Sequence, residues 1–285
     1  MSYFPKASLW HNNPLKSVFS HVLMEVARSV QQGNLEALVR NKGFQFTNVF
    51  FPYTSGQIGP YYVQSAVILN NGADYSGACK DMATAINYYK KYDIVSGGET
   101  RDWIFSFPVA VELELPHAMI YKDGKILGAD LKDKKVIHVA DLNNEGSSPR
   151  DLWIPTIKGA GGKIEDIFFY VDRMEDGAEV MKGLGLNSYA LVPLDQFAWD
   201  YLQQKNIVTP EVYKSLSERG QTTESRKQWA YKMLRSEKGI AKLANLYQDE
   251  KNYKKAKKIV EVGYPELEAE LKDRLAAKGL SKEML

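Results

Sequence analysis

The sequence predicts an α/β fold with a central, mainly parallel sheet flanked by helices, followed by a C-terminal helical extension. Between about residues 93 and 192, short runs of β-branched and aromatic residues alternate with segments of helical period. Such alternation is typical of βαβ crossovers, which pair strands in parallel and place helices on both faces of the sheet. Beyond about residue 205 the strand-like runs stop and helix-forming residues dominate.

The first part of the chain is predicted to contain two helices and two strands. Apolar residues at helical spacing indicate a helix that ends near Gly33, and a β-forming run is followed by the turn residues Ser55-Gly56 and Gly59-Pro60. These elements are a helix over 14–31, strands over 44–53 and 61–69, and a helix over 78–89.

The alternating region supplies the central sheet. Its strands are predicted over 93–95, 117–121, 136–139, 167–171 and 190–192. Its helices are predicted over 103–113, 152–160 and 178–184. In parallel sheets of this kind, ligands bind at the carboxyl ends of the strands, so the loops that follow these strands are the first candidates for a site.

Two domains are predicted, an α/β domain over 1–205 and a helical extension over 206–285. Gly220, Gly239, Gly263-Tyr264-Pro265 and Gly279 divide the extension into about four short helices. The lysines between 251 and 258 are interpreted as a solvated helix face, because acidic residues from Glu261 to Asp273 balance them.

Composition and charge exclude several classes of protein. The formal net charge of the 285 residues is only +2, which gives no reason to expect nucleic acid as a partner. No apolar stretch is long enough for a transmembrane helix, and the first residues lack the apolar segment of a secretory signal. A single Cys79 excludes an internal disulfide. The expected location is the cytoplasm.

Three loops at strand ends could carry chemistry. The segment SGGET (96–100) has paired glycines, which allow backbone N–H groups to approach an anion, although a plain tight turn explains them too. In VIHVADLNNEGSSPR (136–150), an apolar strand ends in Asp141 and a small-residue loop, a pattern typical of phosphate and sugar-hydroxyl sites. The alternative is a turn capped by Asn and Ser side chains.

The third loop, VDRMEDG (171–177), follows a strand with three charged residues, Asp172, Arg173 and Glu175. By itself it could be a surface ion-pair cluster. No spacing of histidines and carboxylates indicates a dedicated metal cage, so no residue is predicted as a metal ligand.

Taken together, the loops resemble those of the type I phosphoribosyltransferases, and within them orotate phosphoribosyltransferase. The resemblance covers about residues 15–205. It depends on TSGQIGPYYV (54–63), DIVSGGETRDWIFSFPVAVELELP (93–116), the loop around Asp141, and VDRMEDGAEVMKGLGL (171–186). It implies a phosphoribosyltransferase-like fold with N-terminal hood elements and transfer of a phosphoribosyl group from 5-phosphoribosyl 1-diphosphate to orotate. It also implies Mg²⁺ as cofactor and a homodimer.

The resemblance also implies roles for individual residues. Asp141, Lys122 and Lys125 would be catalytic, and Phe51 and Arg173 would contact the base. Gly97, Gly98, Glu99 and Thr100 would face the pyrophosphate. The ribose and 5′-phosphate would contact Asp141, Asn144, Glu145, Gly146, Ser147 and Ser148.

The chain departs from the family pattern at several of these positions. The family has two adjacent acids where this chain has Ala140 and Asp141, and hydroxyl-bearing residues where it has Asn144 and Glu145. A carboxylate at position 145 would repel a nearby phosphate by about 4 kcal/mol at an effective dielectric constant near 20. Around the Ser55-Gly56 turn, Thr54 and Gln57 replace a lysine and an arginine.

The mobile hood of the family is also altered, in the segment YKDGKILGADLKDKK (121–135). One alignment places Lys122 and Lys125 at the positions of two hood lysines. The other, which we favour slightly, treats 123–135 as the base of a deleted hood. Without a hood, water is less well excluded from the reacting groups.

These departures leave three interpretations of function. The first is a working orotate phosphoribosyltransferase of pyrimidine nucleotide biosynthesis. The second is a catalytically weakened relative that binds a phosphorylated sugar or nucleotide in a regulatory or structural role. The third is a transferase that acts on a different base.

Overall fold

The computed structural model describes residues 14–89 and 91–281, and for 14–23 and Tyr89 it describes the backbone alone. The N-terminal segment in which no secretory signal is predicted lies mostly outside the described residues. By their contacts, the described residues form two compact units. One consists of the residues up to Gly43 with Gln64–Ala198, and the other of Phe44–Val63 with the residues from Trp199 onward.

The first unit contains a six-stranded sheet in the order β5-β4-β3-β6-β7-β8. All neighbouring strands are parallel except the pair β4 and β5. The strands are β3 (Ile94–Gly98), β4 (His117–Ile120), β5 (Ile126–Gly128), β6 (Lys135–Asn143), β7 (Lys163–Asp172) and β8 (Asn187–Pro193). The α/β class with a mainly parallel sheet flanked by helices is therefore confirmed.

Two helices of this unit precede its sheet along the chain, and the other three alternate with the strands. The helices are α1 (Pro14–Arg40), α2 (Gly72–Tyr89), α3 (Asp102–Glu112), α4 (Ile154–Gly159) and α5 (Gly177–Gly183). A 3-10 helix (Ser65–Asn70) precedes α2, and a π-helical turn (Pro149–Trp153) leads directly into α4. Strand β7 is almost entirely buried, as expected of a strand covered on both faces.

Side chains on β6 alternate between two environments because successive residues of a strand point to opposite faces. Val136 and Ala140 belong to one apolar cluster, which also contains Trp153, Ile157 and Met181 from the helices after β6 and β7. Asp141 consequently points to the opposite face from Ala140. This alternation determines which polar side chains can meet at the strand ends.

The carboxyl ends of β3, β6 and β7 lie at the same edge of the sheet because these strands are parallel and adjacent. Asn143 pairs with Asp172 in the β6–β7 register, and the Asn143 amide donates to Asp172 Oδ2 at 3.1 Å. The three loops singled out in the sequence are thus brought to one edge of the sheet.

The structure corrects several predicted elements. The strand predicted over 61–69 ends at Val63 and gives way to the 3-10 helix. The first helix continues to Arg40, past the glycine at 33, which lies in open space where a Cβ would meet nothing. Strand β5 was not predicted, because three residues are too few to show a period.

The second unit contains a hairpin and helices. Strands β1 (Phe44–Pro52) and β2 (Ile58–Val63) pair antiparallel. The helices are α6 (Gln196–Gln204), α7 (Pro210–Arg219), α8 (Thr223–Arg235), α9 (Glu237–Gln248), α10 (Tyr253–Lys258) and α11 (Glu268–Ala277), with α6 beginning in the first unit. Five α-helices therefore follow residue 205 in the described part of the chain, where about four were predicted.

The observed division of the chain differs from the predicted boundary at 205/206. Phe50 and Ile58 of the hairpin are 1% and 2% exposed, and both belong to the apolar core of the C-terminal helices. The hydroxyl of Tyr264 accepts a hydrogen bond from the Ile58 N–H at 3.2 Å. The hairpin groups with the helices because its apolar face is buried among them.

The turn of the hairpin, which contains the family-like Ser55-Gly56, packs against the segment that follows α10. A Cβ on Gly263 would lie 2.2 Å from the Gly56 carbonyl oxygen, and a Cβ on Gly56 would lie 2.8 Å from the Lys258 carbonyl oxygen. The two backbone segments therefore lie so close together that neither position has room for a side chain.

Gly263→Ala should lower the free energy of unfolding by about 1–3 kcal/mol, because the added methyl forces apart two backbone segments. Gly77→Ala is the matched control: Gly77 lies inside α2 with nothing within 4 Å of its Cβ position, so alanine should be neutral or stabilise. Denaturant unfolding measures both. Equal stability of the two variants would contradict the close approach.

None of the described helices combines the length and the apolar character needed to span a membrane.

Candidate functional site at the carboxyl edge of the sheet

The paired glycines at the end of β3 are explained by packing. A Cβ on Gly97 would lie 2.1 Å from Ser106 Oγ, and a Cβ on Gly98 would lie 2.2 Å from Trp153 Cε2. Trp153 belongs to the π-helical turn after the loop that follows Asp141. The glycines thus let the end of β3 pack closely against α3 and against the π-helical turn that contains Trp153.

The backbone of this turn is largely committed to internal hydrogen bonds. The Gly98 N–H donates to Asp102 Oδ2 at 3.2 Å, and the Glu99 N–H donates to the Ile120 carbonyl at 2.8 Å. The Glu99 carboxylate accepts from the Lys122 N–H at 2.9 Å. Anion binding by the predicted pyrophosphate residues would therefore depend on groups after Glu99, beginning with the exposed Thr100.

Asp141 lies near the carboxyl end of β6, which continues to Asn143 instead of ending in Asp141 as the sequence predicts. Its Oδ2 accepts a hydrogen bond from the Ser65 hydroxyl at 2.8 Å, and its N–H donates to Asp102 Oδ1 at 3.1 Å. The guanidinium Nε of Arg101, a residue 58% exposed at its side chain, is 3.9 Å from Asp141 Oδ2. One carboxylate thus meets a hydroxyl, a second acid and a solvent-accessible cation.

Burial raises the pKa of Asp141 to about 7, and repulsion from the neighbouring Asp102 carboxylate adds to this rise. The Ser65 hydroxyl and Arg101 act in the opposite direction but do not cancel it. A group that changes charge near neutral pH is therefore placed where a ligand could approach.

The loop after β6 is anchored to the loop after β7. The Arg173 N–H donates to the Asn143 carbonyl at 3.0 Å, and the Gly177 N–H donates to the Asn144 carbonyl at 2.9 Å. Gly146 has φ of +66°, a left-handed conformation that favours glycine. Its Cβ position is 2.9 Å from Met181 Cε, so the loop presses closely on α5.

Glu145 has a cationic neighbour that the sequence analysis missed. The Glu145 carboxylate interacts electrostatically with Arg150, whose guanidinium also pairs with Asp151 at 2.6 Å. Ser147 and Ser148 are exposed at the start of the helical segment that leads to Trp153. The loop therefore presents two accessible serines, together with the acid Glu145.

The two residues predicted to contact the base lie in different units. Arg173 is buried, and its Nη2 is 3.0 Å from Glu175 Oε1 in an ion pair whose side chains are 8% and 9% exposed. Phe51 belongs to the hairpin of the second unit and is half-buried, next to the fully buried Phe50. Their shared role stays a prediction.

The two predicted catalytic lysines lie on the tight turn between β4 and β5. The Tyr121 N–H donates to the Lys125 carbonyl at 2.9 Å, and the Gly124 N–H donates to the Tyr121 carbonyl at 3.0 Å. Both lysines are exposed, and Lys125 Nζ lies 5.9 Å from the centre of the Tyr121 ring. The segment from Tyr121 to Lys125 is a tight turn, and the choice between the two alignments of the hood stays a prediction.

The described residues contain no group of three or more His, Cys, Asp or Glu side chains that could hold a metal ion. Asp102 and Asp141 provide two neighbouring carboxylates at this edge. The described side chains therefore do not form a cage for the expected Mg²⁺.

Sequence reasoning missed four polar residues of this edge: Ser65, Arg101, Asp102 and Arg150. Ser65 and Arg150 carry no signal in the sequence beyond their positions near predicted element ends. Arg101 and Asp102 do carry one, since a charged pair directly after a Gly-Gly turn and at the start of a helix lies at a strand end.

Asp141→Asn should stabilise the protein more at about pH 8 than at about pH 4.5. In the unfolded chain this carboxyl ionises near pH 4, whereas in the folded chain its pKa is raised to about 7. Between these values the folded state binds more protons, so stability falls as the pH rises. Thermal unfolding at both pH values measures the effect. A difference between variant and wild type that is independent of pH would exclude this titration.

No family model matches the chain. It is 27% identical over 177 residues to an orotate phosphoribosyltransferase of Sulfolobus acidocaldarius, an alignment that covers 59% of this chain and 87% of the relative. It is 30% identical over 155 residues to an orotate phosphoribosyltransferase of Stenotrophomonas maltophilia, covering 49% of this chain and 69% of the relative.

A crystal structure of orotate phosphoribosyltransferase from Francisella tularensis has the same fold, with a TM-score of 0.56 at 20% identity. The superposition covers 65% of this chain and 95% of that one. The strand-end loops meet around Asp141, and the relatives share about a quarter to a third of their aligned residues with this chain. The shared fold leads to the same conclusion. The chain belongs to the type I phosphoribosyltransferase family of enzymes, as a divergent relative of the orotate phosphoribosyltransferases.

Proposed function

We propose that this protein transfers the phosphoribosyl group of 5-phosphoribosyl 1-diphosphate to orotate, with release of pyrophosphate. The observation that carries the proposal is the placement of Asp141, with Arg101 beside it, where the loops after β3, β6 and β7 meet. An acid that accepts hydrogen bonds from ribose hydroxyls and a cation that receives a phosphate group are the two features that such a donor needs.

The donor would lie across this edge. Asp141 would accept hydrogen bonds from the ribose hydroxyls, and Ser147 and Ser148 would donate to the 5′-phosphate through their exposed hydroxyls. Arg101 would contact the pyrophosphate together with Thr100, because both are exposed directly after the glycine turn. Lys122 and Lys125 would add positive charge from the β4–β5 turn.

In the reaction, the N1 lone pair of orotate attacks the anomeric carbon while the bond to the pyrophosphate oxygen breaks. The N1 proton is lost and the leaving group takes the bonding electrons. The transition state resembles an oxocarbenium ion, so cations placed around the leaving group lower the barrier. Mg²⁺ is part of the proposal as an ion bound mainly by donor phosphate oxygens, the usual mode for this ion.

The acceptor would bind near Arg173, and the role of Phe51 in base binding stays an expectation from the family resemblance. A guanidinium is suited to the planar carboxylate of orotate because it can donate two parallel hydrogen bonds. Glu175 holds that guanidinium in the free protein. A carboxylate-bearing base must therefore compete with Glu175 for the Arg173 guanidinium.

A second candidate function is binding without rapid turnover. Two observations favour it: the N–H groups of Gly98 and Glu99 already have acceptors, and Glu145 places an acid in the phosphate loop. Such a protein would bind a phosphorylated sugar or nucleotide in a regulatory or structural role. A transferase for a different base is the third candidate.

A spectrophotometric assay separates these candidates. Loss of orotate in the presence of donor and Mg²⁺ at about 1 per second or faster would support the first. Donor binding by calorimetry without turnover would support the second, and turnover with another base the third. Cytoplasmic location and a homodimer are part of the proposal. Light scattering at micromolar concentration tests the dimer, and a monomer would contradict it.

Glu145→Gln should tighten donor binding about tenfold, a change of about 1.4 kcal/mol, because it removes a like charge beside the phosphate. Ser147→Ala should weaken binding, since a hydrogen bond to a charged group contributes about 1.5–3 kcal/mol. Titration calorimetry with the donor and with ribose 5-phosphate measures both changes.

Glu112→Gln is the matched control for Glu145→Gln, because Glu112 is an exposed acid at the end of α3, away from the strand-end loops. It should bind the donor as the wild type does. Should neither the wild type nor Glu145→Gln bind either ligand at millimolar concentration, the loop does not hold a phosphate and the transferase proposal is wrong.

A further inference from the structure

Asp102, the first residue of α3, is a buried acid beside Asp141. It is 8% exposed, and each of its oxygens accepts a backbone hydrogen bond. Oδ2 accepts from the Gly98 N–H at 3.2 Å, and Oδ1 accepts from the Asp141 N–H at 3.1 Å. A single carboxylate therefore ties the turn after β3 to the end of β6.

The charged surroundings of this carboxylate come from several elements. The carboxylate of Asp141, from β6, lies beside it and repels it. Arg101 directly precedes α3, and its Nε lies 3.9 Å from Asp141 Oδ2. His138, from β6, is fully buried with its Nε2 3.5 Å from Asp102 Oδ2 and its Nδ1 3.0 Å from Ser96 Oγ.

The position before Asp141 cannot supply a second acid here. Ala140 is 3% exposed and belongs to the apolar cluster on the opposite face of β6, with Trp153 and Met181. A carboxylate at 140 would be buried among apolar side chains without partners, which is strongly unfavourable. Asp102 reaches Asp141 from α3 instead, and its own two acceptor sites are satisfied.

We infer that Asp102 is a positioning residue of the donor site, which holds the Asp141 backbone and the Gly98 turn in one arrangement and supplies the second negative charge beside Asp141. The inference rests on the proposed function for its link to the donor. The geometry itself, a bridge between two strand-end loops, is independent of any ligand.

The bridge has a measurable electrostatic consequence. Because a like charge beside Asp141 disfavours its ionised form, removing the Asp102 charge should let Asp141 ionise at lower pH. Asp102→Asn does this at nearly constant shape. The variant also replaces one acceptor oxygen with an NH2 group, so one of the two backbone N–H groups faces a donor and loses its hydrogen bond.

Carbon-13 NMR of the aspartate carboxyl groups, in the ligand-free chain, follows the titration of Asp141, which the loss of its signal in Asp141→Asn identifies. We expect the midpoint to fall by about one pH unit or more in Asp102→Asn. We expect the same fall of the midpoint in Asp102→Ser, a smaller neutral variant. The measurement therefore does not depend on the folding of one variant. An unchanged midpoint in the folded variants would overturn the inference.

Calorimetry with 5-phosphoribosyl 1-diphosphate tests positioning separately. At about pH 8, where Asp141 is mostly ionised in both proteins, Asp102→Asn should bind the donor at least about tenfold more weakly because one backbone link is lost. Donor affinity in the wild type should rise as the pH passes 7, and in the variant this rise should occur at lower pH. Equal affinity at pH 8 would also overturn the inference.

Asp93→Asn is the matched control. Asp93 lies at the other end of β3, where its exposed carboxylate accepts the Lys135 N–H at 2.8 Å, so it too joins two strands. It should leave both the Asp141 midpoint and donor affinity unchanged. If the wild type binds no donor at any pH, the proposed function fails, and the Asp141 titration alone then decides the inference about Asp102.

Discussion

The candidate site depends on the burial of two acids, Asp102 and Asp141, beside each other at the edge of a parallel sheet. Buried carboxylates are unfavourable unless hydrogen-bond donors satisfy them. Here the donors are a hydroxyl and two backbone N–H groups, which come from three separate segments of the chain. Meeting that requirement brings the 3-10 helix, the turn after β3 and the end of β6 together.

The same requirement limits what the glycine turn can offer a ligand. A pair of glycines after a strand is often interpreted as an anion cradle, yet here one N–H already binds Asp102 and the next binds a carbonyl of β4. Ser106 and Trp153 occupy the space that side chains at Gly97 and Gly98 would fill. Electrostatic attraction at this edge therefore comes mainly from side chains such as Arg101.

The sequence predicted the class of fold and the position of the site because both follow from short-range patterns. Strand and helix periods alternate visibly, and Asp141 directly follows an apolar run. Asp102 and Ser65 could not be predicted as its partners, since their contacts join residues 39 and 76 positions apart. The hairpin's grouping with the C-terminal helices was missed for the same reason: Phe50 is buried by residues that lie far along the chain.

That grouping has a consequence for how the chain folds during synthesis. The hairpin is synthesised well before the backbone that its turn fits against, at Gly263, since Ile58 and its hydrogen-bond partner Tyr264 are 206 positions apart. Contacts of such long sequence separation form slowly, and an unpaired apolar strand is prone to aggregation while it waits. Until the residues around Gly263 have been made, Phe50 and Ile58 therefore lack the apolar core that buries them in the folded protein.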